Sequence, residues 1–153
     1  MGTILLVRHA HAGNSDAWVG DDRIRPLSPK GVRQSRGLVK LLDDRPIGTI
    51  HSSPFVRCTQ TVEPLAAARG LAVLPMQALA EGSGDAALRL VRDLAEGDAT
   101  LCTHGDIIPL VLQGLGDEGL ALPRNARWQK GSVWVLRADG EGCWQAAYLP
   151  PAA

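Results

Sequence analysis

The sequence predicts an α/β fold: a three-layer sandwich with a mainly parallel central sheet, helices on both faces and a C-terminal hairpin. Three observations predict it. Short apolar runs alternate with longer stretches whose apolar residues recur at helical spacing. Ser-Pro or Asp precedes several of those longer stretches, as helix starts require. Four such strand-then-helix units are followed by two strand-like runs flanking Asp139-Gly140, a hairpin signal.

The elements follow in order. Residues 3–7 are apolar and largely branched, the look of a strand covered on both faces. Residues 8–27 form a long polar loop with Gly13, Asn14, Gly20, Asp21, Asp22, Arg23 and Arg25; a loop of this length in a compact domain is more often a binding loop than a connector. Ser28 as N-cap and Pro29 in the first turn start a helix over about 29–43, packing closely through Gly31, Ser35, Leu38 and Leu42. A short strand is expected at 48–51. Ser53-Pro54 then predicts the cap of a helix with Phe55, Thr59, Val62 and Ala66 on one face, and Pro64 predicts a kink or a restart. The third strand is expected at 71–74, followed by a Gly-rich loop at 81–84 and a helix over about 85–96 with Leu88, Val91 and Ala95 inward. Residues 99–103 read as the fourth strand. Asp106 predicts the cap of a helix through Leu112, with Pro109 in its first turn and Gly114 at its end. The hairpin strands are expected at 132–136 and 143–148, and residues 150–153 as a frayed tail.

Bulk properties narrow the function. A chain of 153 residues, 45% hydrophobic and 21% charged, predicts one soluble domain over residues 1–153 with a substantial core. Lys and Arg number 16 and Asp and Glu also 16, so the basic excess of a nucleic-acid binder is missing. No apolar run approaches the ~20 residues needed to cross a bilayer, which argues against a membrane partner. Cys58, Cys102 and Cys143 are odd in number and widely spaced, and the N-terminus lacks a secretion pattern; a reduced, cytoplasmic setting is expected. None of the three cysteines precedes an arginine at the spacing of a cysteine-dependent phosphatase, and no P-loop is present.

Chemistry gathers at the predicted carboxyl ends of the strands, where ligands bind in open α/β sheets. These ends carry Arg8 and His9, then Arg57 in the second helix, then Glu81, then His104. Two arginines beside two histidines make a cationic cluster, and guanidinium forks match phosphate oxygens at every working pH. One histidine can attack phosphorus and form a phosphohistidine, while the arginines and the other histidine stabilise the transferring group. Glu81 reads either as the acid that protonates the leaving oxygen, help typically worth ~10²- to 10⁴-fold, or as a solvated loop glutamate.

Taken together, Leu5-Leu6-Val7-Arg8-His9-Ala10, Ser52-Ser53-Pro54-Phe55-Val56-Arg57-Cys58-Thr59-Gln60-Thr61 and Thr103-His104-Gly105 resemble the histidine phosphatase superfamily, the phosphoglycerate-mutase-like clan, in the right order over nearly the whole chain. The sequence is most similar to the small SixA-type phosphohistidine phosphatases and to the phosphatase half of Nudix fusion proteins. For the latter the likeness lies in Trp18-Val19-Gly20-Asp21-Asp22, Arg25-Pro26-Leu27 and residues 56–65. The resemblance implies His9 as the phosphorylated nucleophile, Arg8, Arg57 and His104 as the phosphate pocket, Asn14 as a further phosphate contact and Glu81 as proton donor. It implies no metal and no cofactor. Ala10 departs from the glycine usual after Arg-His. The large insertions of the mutases are missing, which favours hydrolysis over transfer to a second hydroxyl. The implied substrate is a phosphohistidine protein, a nucleotide or a small phosphorylated metabolite, with a separate Nudix protein as a partner.

Other readings stay open on the residues alone. His9-Ala10-His11 with His51, His104 and an aspartate would make a metal hydrolase, although that arrangement belongs to barrels of about 250 residues. His11 and His51 read more simply as structural histidines. Trp18 either stacks on an aromatic substrate or packs its own loop, whereas Trp134 and Trp144 read as core. Arg23, Arg25, Arg124, Arg127 and Lys130 either line the pocket mouth, meeting a second phosphate or an acidic segment, or form a solvated surface. The same pocket without turnover would be a phosphate-binding docking module.

Overall fold

Six strands form one sheet in the order β3-β2-β4-β1-β5-β6 in a computed structural model that describes residues 2–139 and 142–152. Along the chain run β1 (Thr3–Arg8), α1 (Pro29–Leu41), β2 (Thr49–Ser52), α2 (Val56–Arg69), β3 (Val73–Pro75), α3 (Gly84–Asp93), β4 (Ala99–Thr103), α4 (Ile107–Gly116), β5 (Val133–Ala138) and β6 (Trp144–Leu149). The first four strands pair in parallel, and β5 and β6 add antiparallel at one edge. The expected sandwich is the observed fold.

Side-chain alternation along β1 builds the two cores. Ile4 and Leu6 point to one face, where Val91 of α3 and Ile107, Val111 and Leu115 of α4 cover them with Trp134. Leu5 and Val7 point to the other, against Leu38 of α1 and Cys58, Val62 and Leu65 of α2. Both central strands are therefore buried on both faces, which is why they read as unbroken apolar runs.

Several local expectations give way to tertiary packing. Ser53-Pro54 does not cap α2, which begins after Phe55 without a side-chain cap, because Ser53 is turned toward the sheet edge. The helix neither stops nor restarts at Pro64; burial of Val62, Leu65 and Ala66 on one face holds it through Arg69. Asp106 makes no cap hydrogen bond and accepts instead from the Gly82 N–H at 3.0 Å. Helix α4 runs past Gly114 to Gly116, and Gly114 serves packing: a Cβ there would lie 3.0 Å from Leu88 Cδ1. β3 starts at Val73 rather than at residue 71, and α3 ends at Asp93. Residues 150–152 do not fray, since Ala152 lies against Gly37 of α1, where an added Cβ would approach its Cβ to 2.5 Å. Gly140 of the hairpin signal lies outside the described residues.

The loop from residue 9 to 28 is tied down at its root. Ser28 caps α1 by accepting from Gly31 N–H at 3.1 Å, and its own N–H donates to the His11 carbonyl at 3.0 Å. Gln34 Oε1 accepts from His11 N–H at 2.9 Å. Gly31 lies so near the His11 carbonyl that no Cβ fits between them. Gly31→Ala should therefore destabilise the protein by about 1–3 kcal/mol, the usual effect of overpacking, seen as a lowered urea midpoint. Arg33→Ala on the exposed side of α1 should stay within about 0.5 kcal/mol; equal midpoints for the two variants would refute the close contact.

Candidate active site

Strand register brings the chemistry to one edge. Arg8 pairs with Thr103, and Ser52 with Cys102, so the residues that follow, His9, Ser53 and His104, leave the sheet side by side. Backbone hydrogen bonds extend the lock beyond the strands: His9 N–H donates to Thr103 O at 3.0 Å and Ser53 N–H to Cys102 O at 2.9 Å.

His9 is buried and its Nδ1 lies 2.8 Å from the Ala10 carbonyl. A carbonyl only accepts, so Nδ1 carries the hydrogen and Nε2 keeps its lone pair. Burial lowers the His9 pKa to about 3, with His104, Arg57 and Arg8 adding to the effect and the Ala10 hydrogen bond opposing it. The ring is thus neutral and unprotonated at Nε2 through the physiological range.

Arg8 donates from Nη1 to the Trp128 carbonyl at 2.8 Å, and its guanidinium lies flat against Gly105. A Cβ at position 105 would lie 2.6 Å from Nη2 and 2.7 Å from Cζ, so a side chain there would displace the guanidinium that the glycine faces. Arg57, in the first turn of α2, is 1% exposed. It donates to Asp22 O at 2.8 Å, to Asp22 Oδ2 at 3.0 Å and to Glu81 Oε1 at 2.6 Å, and sits 4.9 Å over the Phe55 ring. The Nε atoms of Arg8 and of Arg57 are buried without a protein acceptor. Each is a donor that the protein itself leaves unpaired.

His104 is positioned from behind. Its Nε2 is 2.8 Å from Ser53 Oγ, which also accepts from Phe55 N–H at 3.3 Å, and 3.6 Å from Cys58 Sγ. Nδ1 lies 3.4 Å from Glu81 Oε1, with no hydrogen bond of its own. Phe55 meets the ring edge-on at 4.6 Å, and the His9 ring centroid is 5.5 Å away.

A cavity of about 410 Å³ joins Arg8, His9, Arg57 and Glu81 to Ser15, Arg25, Asp106 and Lys130. Five of the six site residues expected from the sequence therefore come together. Asn14 does not join them: its Oδ1 accepts from Asp16 N–H at 2.9 Å, capping a short turn, and it lines a neighbouring cavity with Trp18, while Ser15 faces the cleft. Of the basic residues at the expected mouth, Arg25 and Lys130 line the cleft, Arg23 pairs with Asp21, and Arg124 and Arg127 are exposed away from it. His11 and His51 bond Ser28 Oγ and Thr49 Oγ1, and no three His, Cys, Asp or Glu side chains converge for a metal among the described residues. Among those residues no helix is long and apolar enough to cross a membrane. Ser53, Phe55 and Asp22 were given no site role from the sequence, although Ser53 and Phe55 lie in the family-like segment and Asp22 in the expected binding loop; Ser-Pro suggested a cap, and Asp22 reaches Arg57 only through the path of the loop.

The sequence profile of the histidine phosphatase superfamily (branch 1) matches residues 4–87. An 8-oxo-(d)GTP phosphatase from Mycolicibacterium smegmatis is 35% identical over 97% of this chain but only 48% of its own length, so the chain spans about half of that curated relative. A protein from Agrobacterium tumefaciens assigned as the phosphohistidine phosphatase SixA superposes with a TM-score of 0.78 at 25% identity, covering 97% of this chain and 98% of its own. YhfR from Bacillus stearothermophilus shares the fold with a TM-score of 0.80 at 17% identity, over 100% of this chain and 98% of its own. With one profile matched over more than half of its length and one relative aligned along nearly all of it, the chain belongs to the histidine phosphatase superfamily.

Proposed function

We propose that this histidine phosphatase hydrolyses a phosphoryl group through a phosphohistidine at His9, in a single catalytic domain over residues 1–153 and without a metal ion. The observation that carries the reading is the neutral His9 ring, its Nδ1–H held by Ala10 O and its Nε2 free, in a cleft flanked by Arg8 and Arg57. Guanidiniums supply the positive charge that the transferring group needs. His9 Nε2 attacks phosphorus, the bond to the leaving oxygen breaks, and its electron pair goes to that oxygen with a proton from Glu81. Water then attacks the phosphohistidine, Glu81 takes a proton from it, the N–P bond breaks, and phosphate leaves with His9 neutral again. Arg8, Arg57 and His104 hold the phosphoryl oxygens in both steps; Asn14 keeps a structural role.

Substrates of three classes fit this chemistry: a phosphohistidine protein, a nucleotide or a small phosphorylated metabolite. The Mycolicibacterium relative supports the nucleotide, and the SixA-type likeness supports the protein-borne group. The cytoplasmic setting and a separate Nudix partner belong to the same reading.

Wild type assayed in EDTA should turn over p-nitrophenyl phosphate, and His9→Ala should lose ~10³-fold or more in kcat, as expected when a covalent nucleophile is removed. Undiminished turnover by His9→Ala would sink the mechanism; tight vanadate binding without any turnover by wild type would favour the docking module. Glu81→Gln should slow alkyl phosphates by ~10²- to 10⁴-fold and p-nitrophenyl phosphate far less, since that leaving group needs no proton. Equal losses on both would remove Glu81 from the donor role.

The neutral ring also has a stability signature. Unfolded His9 titrates near 6.5 and folded His9 near 3, so between those values the unfolded chain binds a proton that the folded one refuses. Stability falls as pH drops through that window, by up to about 1.4 kcal/mol per pH unit from this group. Urea unfolding of His9→Asn at pH 7, 6, 5 and 4 should show a shallower acid decline than wild type; parallel curves would mean that folded His9 titrates normally.

A further inference from the structure

Resting on the phosphatase reading above, we propose that Arg25 and Lys130 form a second anion subsite beside the reacting centre, and that the preferred substrate carries another phosphate next to the one removed, an organic diphosphate. Both residues line the same cavity as His9 and stand outside the group of Arg8, Arg57 and His104 assigned to the reacting phosphoryl group. Arg25 is 8% exposed and fixed in place: Nε donates to Asp22 Oδ1 at 3.0 Å and Nη1 to the Ala12 carbonyl at 2.5 Å. Its Nη2 donates to no protein group among the described residues. Lys130, half-buried just before β5, has no carboxylate partner among them either.

The charges are graded along the cleft. His9 feels Arg8 and Arg57, whereas Lys130 feels Arg8, Arg25 and Arg57 together, and burial with that crowding lowers its pKa. Two acids face four cations in the cavity, and both are engaged, Glu81 with Arg57 and Asp106 with Gly82 N–H. A phosphoryl group bound by Arg8 and Arg57 leaves Lys130 without a carboxylate partner among the described residues, and Arg25, paired to Asp22 through Nε, with Nη2 still to donate. Like charges gathered in a cleft in this way favour an anionic ligand over the empty state. Space agrees: the cavity of about 410 Å³ has room beyond one phosphoryl group. Arg25 also borders the adjoining cavity of about 280 Å³, where Ala12, Trp18, Pro26 and Leu27 offer the organic part an apolar wall.

Chemically, His9 Nε2 attacks the terminal phosphorus and the anhydride P–O bond breaks. Its electron pair stays on the bridging oxygen, which departs as a terminal oxygen of the organic monophosphate. That oxygen leaves as an anion, without a proton from Glu81, and Arg25 and Lys130 meet the charge as it develops. Water then cleaves the N–P bond and frees inorganic phosphate.

The test compares kcat/KM for ADP and AMP, and for GDP and GMP, in wild type, Lys130→Ala and Lys130→Arg, with p-nitrophenyl phosphate as reference and thermal melts to check folding. Wild type should favour each diphosphate over its monophosphate. Lys130→Ala should lower that ratio about tenfold, the weight of one hydrogen bond to a charged group, and Lys130→Arg should retain it. A wild-type ratio near one, or a ratio that Lys130→Ala leaves unmoved while p-nitrophenyl phosphate is still hydrolysed, overturns the subsite alone. Wild type that hydrolyses none of these compounds and no phosphohistidine protein overturns the phosphatase reading and the subsite with it; turnover of the phosphohistidine protein alone overturns the subsite.

Discussion

The parallel pairing of β1 with β4 is the constraint on which the site depends. Arg8 opposite Thr103 sets the level at which both strands end, and the hydrogen bond from His9 N–H to Thr103 O carries the match one residue further. A slip of one residue would put Arg8 in the place of His9, or Thr103 in the place of His104, and exchange the two faces of the strand. Such a slip is blocked by the cores on the two faces, since Ile4 and Leu6 pack with α3 and α4 while Leu5 and Val7 pack with α1 and α2. Hydrophobic burial thus fixes the separation and level of the two imidazoles, whose own interactions are too weak to do so.

Charge around that edge is arranged in a chain. Asp22 bridges Arg57 and Arg25, and Glu81 accepts from the same Arg57 Nη2 as Asp22, so the long loop, α2 and the loop before α3 share one guanidinium. Arg57 is almost fully buried, and a buried cation is tolerable only with such partners. Burial above all keeps His9 unprotonated, and the same cations add to the effect. The pocket is therefore anion-seeking and at the same time holds a neutral nucleophile.

Small residues decide how closely these parts approach. Gly105 lets the Arg8 guanidinium lie flat beside the turn after β4, and Gly31 lets α1 touch the root of the binding loop. Ser53 shows the converse: a residue suited by chemistry to a helix cap is recruited to hold His104 because the second strand ends beside the fourth.

Much of the fold and most of the site were legible in the sequence. Apolar runs of strand length, helical spacing and the Arg-His and Thr-His pairs at their ends sufficed to place Arg8, His9, Arg57, Glu81 and His104 on one edge, because burial periodicity and the polarity of strand ends are local properties. The cap at Ser28 was readable for the same reason. What tertiary structure decided lies between segments: Ser53 turned to His104, Asp22 and Arg25 folded back over Arg57, α2 carried through Pro64, and Asn14 spent on its own turn while Ser15 faces the cleft. A local pattern records which face of an element is buried, but the partner that a polar side chain finds depends on where the chain returns. Only the closed fold, with its charges desolvated together, settles that.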